Sequence, residues 1–112
     1  MKLYIAVLDE VPDFMVPTLV AHTMLGAHLQ FMKLPGELYD QYENWLLQSF
    51  KKCVCRVNRK EFDKIANIPG TYLGHENTTL GGSKSCTIPL PVPNEQLPNV
   101  LKFAKLWSPK CV

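Results

Sequence analysis

The chain carries four cysteines, Cys53, Cys55, Cys86 and Cys111, yet none forms a Cys-x-x-Cys pair. No cysteine–histidine set has zinc-site spacing, so no metal is expected. No apolar run approaches the length of a membrane span, so no membrane partner is expected either. Lys2 is followed by only six uncharged residues before Asp9 and Glu10, too few for a secretory leader. The expectation is a cytoplasmic chain with reduced thiols. Repeats and low-complexity segments are missing. The net charge of +2 is too small to point to a nucleic-acid partner by itself. No cofactor is expected.

What remains is an ordinary globular composition. The chain has 112 residues, 46% hydrophobic and 20% charged, which suits one domain over residues 1–112 with a single core. Charge distribution says more than net charge. Six of the twelve basic residues fall in one run: Lys51, Lys52, Arg56, Arg59, Lys60 and Lys64. An acidic segment, Glu37, Asp40 and Glu43, precedes it. Such a run is either a solvated face or a surface for a phosphate backbone.

Leu3 to Leu8 is a continuous apolar run of strand formers and reads as a strand buried on both faces. Asp9 to Pro17 connects it to a helix over Thr18–Met32, with Leu19, Val20, Leu25, Leu29 and Met32 at roughly helical spacing. Leu34-Pro-Gly36 breaks that helix. A second helix, Glu37 to Ser49, places Leu38, Tyr42, Trp45, Leu46 and Ser49 on one side. Cys53 to Val57 reads as a strand with both cysteines on one face, where they cannot bridge each other and pack as small hydrophobes. Asn58 and Glu61 make a capping-box signature for a short helix, Arg59 to Asn67.

Thr71–Leu73 reads as a short strand and Gly74 to Ser83 as a polar, glycine-rich loop. Lys84 to Ile88 is a further strand, stopped by Pro89-Leu-Pro-Val-Pro93. A last helix, Glu95 to Leu106, turns Leu97, Val100, Leu101 and Ala104 inward. The order is β-α-α-β-α-β-β-α. It predicts a three-layer α/β domain with a mixed four-stranded sheet and helices on both faces.

His22 lies in Val16-Pro-Thr-Leu-Val-Ala-His-Thr-Met-Leu-Gly-Ala-His28, directly after the first strand. Strand-to-helix junctions of α/β folds are where ligands usually bind. A histidine there serves as acid, base or hydrogen-bond donor near neutral pH. The alternative is a histidine on a helix flank, satisfied by a carbonyl or by water.

Several stretches in this order resemble the second, archaeal- and eukaryotic-type family of peptidyl-tRNA hydrolases. They are Val20-Ala-His-Thr-Met-Leu-Gly-Ala27, Trp45 followed by Lys51-Lys-Cys-Val-Cys-Arg-Val57, and Glu61-Phe-Asp-Lys-Ile65. Thr78-Thr-Leu-Gly-Gly-Ser-Lys-Ser85 and Phe103-Ala-Lys-Leu-Trp107 complete the set. The resemblance is remote and spans nearly the whole chain. It implies cleavage of the ester between tRNA and a peptide or aminoacyl group, with His22, Thr78 or Thr79, and Ser85 at the site. Lys51, Lys52, Arg56, Arg59 and Lys60 would face tRNA or other RNA, and a homodimer is compatible.

The departures are as informative. The family's lysine, seven residues before its histidine, is Met15 here. Its glutamine, three residues before, is Leu19. The aspartate and arginine expected near the threonine loop are missing from Leu73-Gly-His-Glu-Asn77. Asp13, His75 and Glu76 are the candidates to replace the missing groups. Two functions follow: an ester hydrolase, or a catalytically lapsed member of the fold that works as a binding or interaction module. A third is a small-molecule pocket between the first helix and the glycine-rich loop.

Overall fold

A computed structural model describes residues 1–76 and 83–110. Leu3–Leu8 (β1) forms the middle strand of a mixed sheet, because hydrogen-bonded partners lie on both sides. Leu3, Ile5, Ala6, Val7 and Leu8 are all buried, as a continuous apolar run requires. The chain then turns through a single 3-10 turn, Asp13–Met15, into a helix, Val16–Phe31 (α1). Pro17 sits in its first turn, where a missing N–H leaves no bond unmade.

Gly36–Asn44 (α2) follows the Leu34-Pro35 break. The predicted helix over 37–49 does not stay regular. Trp45–Ser49 widens to a π-helical turn, closed by Phe50 N donating to Trp45 O at 2.7 Å. Phe50 itself is left-handed at φ 57°. The next strand, Lys52–Val57 (β2), runs parallel to β1, with Leu3 opposite Lys52 and Leu8 opposite Val57. Arg59–Ala66 (α3) begins at the predicted capping box. Asn58 Oδ1 accepts from Glu61 N at 2.8 Å, and Glu61 Oε1 accepts from Asn58 N at 2.9 Å.

Tyr72–Glu76 (β3) and Ser83–Ile88 (β4) pair antiparallel, and β4 also pairs antiparallel with β1. The predicted terminal helix over 95–106 is broken three ways. It is a 3-10 turn at Asn94–Gln96, a one-turn helix at Asn99–Lys102 (α4), and a short strand at Lys105–Leu106 (β5). Pro98 is the reason for the first break, since it holds Leu97 extended. Beyond α4 the free edge of β2 offers unpaired backbone groups, and Lys105 and Leu106 pair antiparallel with Arg56 and Cys55.

The sheet therefore has five strands, not four, in the order β3-β4-β1-β2-β5. With helices α1 to α4 it is a mixed α/β fold with an open sheet. α1 packs against β3, β4 and β1, while α3 packs against β1, β4 and β2. No described helix is long and apolar enough to cross a membrane.

The buried face of α1 differs from the predicted one. Leu19, Thr23, Ala27 and Phe31 are buried, at a strict four-residue spacing. Leu25, Leu29 and Met32, part of the apolar spacing that predicts the helix, are exposed, Leu25 by 63%. The helix has apolar residues on more than one side, and the side with small Thr23 and Ala27 between Leu19 and Phe31 is the buried one.

Candidate functional site

The first half of α1 lies against the ends of β3 and β4. Thr23 faces the sheet, and its hydroxyl donates to Leu19 O at 2.8 Å. A Cβ at Gly74 would lie 2.6 Å from Thr23 Cγ2, so only glycine admits this approach. A Cβ at Gly26 would likewise lie 2.6 Å from Tyr72 Cζ. Cys86 pairs with Gly74 and lies beside Thr23. Burial pushes the Cys86 thiol up to about 12, so it is a core group and not a nucleophile.

Next to this contact the β3–β4 ladder slips. Gly74 pairs with Cys86 and His75 with Lys84, which leaves Ser85 as the extra residue of a β-bulge. Ser85 is buried, and its hydroxyl has no partner among the described residues. Bulges recur beside active sites, and an unpaired buried hydroxyl calls for an explanation. His22 precedes Thr23 on α1, as Ser85 precedes Cys86 on β4. The contact of Thr23 with Gly74 and Cys86 thus brings the helix segment of His22 to the strand segment of Ser85. His22 is exposed to solvent and makes no hydrogen bond to another described residue. Thr78 and Thr79 lie outside the described residues, as do the side chains of His75 and Glu76.

Met15, three residues into the turn before α1, is core: only 8% of it is exposed. Asp13 is engaged. Its carboxylate accepts from Lys110 N at 2.6 Å and from Arg56 Nη2 at 3.1 Å. The Lys110 amide first, and the Arg56 guanidinium after it, hold the Asp13 carboxyl below its ordinary value. An ionised, doubly hydrogen-bonded carboxylate is a poor substitute for a catalytic base.

The basic run divides. Arg56 is bound by Asp13 and also donates to Ser108 O at 2.6 Å. Its guanidinium lies 5.2 Å from the Trp107 ring centre. Arg59 pairs with Glu10 at 2.8 Å, an exposed bridge that contributes little stability. Lys51, Lys52 and Lys60 are exposed and form no ion pair with a described carboxylate. Lys52 and Arg56 share one side of β2, as strand alternation predicts, and Cys53 and Cys55 share the other. Cys55 is buried and its thiol is raised. A hydrogen bond from Cys55 lowers the half-buried Cys53 thiol to about 7.

A second feature was not anticipated from the sequence. Between α1 and the Tyr42–Phe50 segment runs an open groove of about 400 Å³. Met24, Leu25 and Leu46 line it, with Tyr42, Trp45, Phe50 and Lys52. It is bounded by α1 and α2, not by the glycine-rich loop. A sequence signal existed. Leu25, Leu29 and Met32 are more apolar side chains than one sheet-facing stripe needs. No three described His, Cys, Asp or Glu residues are grouped to hold a metal ion.

No protein-family model matches the chain, and no curated protein matches it.

Proposed function

We propose that the chain is a peptidyl-tRNA-hydrolase-like domain that binds the ester-linked end of a tRNA and has lost efficient turnover. In this reading the fold is three-layered, with helices on both faces of the sheet, and His22 faces the ester. The observation that carries it is the burial of Met15. Ester cleavage needs an activated water and a positive or hydrogen-bonding group for the developing oxyanion. Where the resemblance calls for a lysine, this chain has a thioether in its core. The nearby cation Arg56 is already bound by Asp13 and Ser108.

Binding is the better-supported half. Lys51, Lys52 and Lys60 remain for phosphates, because Arg56 and Arg59 are paired with Asp13 and Glu10. The unpaired buried hydroxyl of Ser85 favours a second reading, in which slow hydrolysis survives with His22 as base.

The test is one purified protein in two assays. Peptidyl-tRNA binding is expected to weaken with salt with a log–log slope of about −3 for three phosphate contacts. Hydrolysis is expected at the buffer rate. Hydrolysis that His22→Ala abolishes in a folded protein assigns the active reading instead. Salt-insensitive binding, or none, returns the lysines to a solvated face and ends both readings.

A further inference from the structure

The groove beside α1 has the build of a ligand site, and the one residue it shares with the tRNA reading is Lys52. Its walls are almost wholly apolar. Tyr42, Trp45 and Phe50 form a consecutive row of rings, with centroids 5.5 Å apart for the first pair and 5.7 Å for the second. Tyr42 and Trp45 are buried beneath the groove, and Phe50 is its exposed ring. Along α1 the lining runs from Ala21 to His28, about 10 Å at 1.5 Å per residue. Its volume lies in the range of small-molecule sites.

Two unusual features of the backbone border the groove. Trp45–Ser49 is a π-helical turn, a form that recurs at functional sites. Phe50 is a bulky residue at positive φ, which costs on the order of 1–3 kcal/mol. That conformation presents the Phe50 ring to solvent, 58% exposed, as one wall of the groove. It also aims the Phe50 carbonyl at Lys52 Nζ, which donates to it at 2.7 Å.

Lys52 supplies the specificity. Its ammonium lies 3.2 Å from the centre of the Phe50 ring and 5.3 Å from that of Trp45. It pairs with no described carboxylate. One of its three N–H donors is used by the Phe50 carbonyl, leaving two. A positive charge fixed at the rim of an apolar trough calls for an apolar body that ends in one negative group. At the other polar point, Tyr42 Oη and His28 Nδ1 share a 2.8 Å hydrogen bond and satisfy each other.

We propose that this groove binds a medium-chain carboxylate, with its alkyl chain on the Met24, Leu25 and Phe50 walls and its carboxylate on Lys52 Nζ. The lining along α1 from Ala21 to His28 suits a linear chain, and the single cation suits a single anion. Calorimetric titration with sodium decanoate below its micellar concentration tests it, alongside decanol. Wild type is expected to bind decanoate saturably, and Lys52→Met to bind it at least tenfold more weakly. Decanol affinity is expected to be the same in both proteins and weaker than that of decanoate for wild type. Ala21→Trp, which fills the trough from an exposed position, is expected to remove both ligands while circular dichroism stays unchanged. Three results would each overturn the proposal: no saturable decanoate binding, an unchanged decanoate affinity in Lys52→Met, or decanol binding as tight as decanoate. Self-association that decanoate does not reverse assigns the groove to a second copy of the chain, and also overturns it. The tRNA assays use different variants, so either reading can fail without the other.

Discussion

α1 makes one close contact and one loose one. Towards the sheet it meets β3 through Gly26 and Gly74, with Tyr72 and Thr23 filling the space a methyl group would need. Towards α2 it leaves a groove of about 400 Å³ floored by aromatic rings. The same helix therefore has a side where nothing can be added and a side where something can. The difference lies in backbone approach. Glycines let α1 lie close on β3, whereas on the groove side α1 faces the π-helical turn and the left-handed Phe50. Close packing there secures the fold, and open packing here leaves apolar surface available for binding.

Four substitutions sharpen or break this contrast. The largest effect is expected at Trp45, which floors the groove and is also core, with its indole N–H donating to Lys51 O. Trp45→Ala should cost about 3–5 kcal/mol in urea unfolding. A loss below about 1 kcal/mol would mean that the groove floor is not part of the core. Gly74→Ala comes next, at about 1–3 kcal/mol, since its new Cβ meets Thr23 and the strand backbone cannot retreat. Pairing it with Thr23→Ala should return most of that loss in a double-mutant cycle. Simple additivity would show that the α1–β3 contact is looser than it looks.

On the open side the signs change. Phe50→Gly relieves the positive-φ strain but removes the ring, so unfolding free energy should stay within about 1 kcal/mol of wild type. Decanoate affinity should nevertheless fall at least fivefold in the same titration. Leu25→Ser should be the mildest, within about 0.5 kcal/mol, because Leu25 is already in solvent. A larger cost would place Leu25 in the core after all.

The fold was legible where one residue type outweighed every alternative. Leu3 to Leu8 has no charged residue, and five of its six residues are buried, as a strand covered on both faces requires. Asn58 and Glu61 determine a helix start through two local hydrogen bonds, and both are formed. The last stretch was misread because apolar spacing over 95–106 suits a helix, while Pro98 and the free edge of β2 act against it. Of the candidate site, His22 and Ser85 are carried by elements that meet through Thr23, Gly74 and Cys86. The basic run was legible as charge but not as a surface. Its arginines are claimed by Glu10 and Asp13, more than forty residues away in the chain.

The sequence by itself determined the first two strands, the lengths of α1 and α3, the reduced charge of the chain and the absence of a lysine at Met15. These follow from local propensity, hydrophobic period and residue identity, none of which needs a partner. Only the tertiary structure decided which side of α1 is buried, that Ser85 falls in a bulge, and that the chain end adds a fifth strand. It alone left a charged lysine at the rim of an apolar groove. Each of these depends on how closely distant segments approach, and an apolar residue carries no mark of whether a neighbour will arrive to cover it.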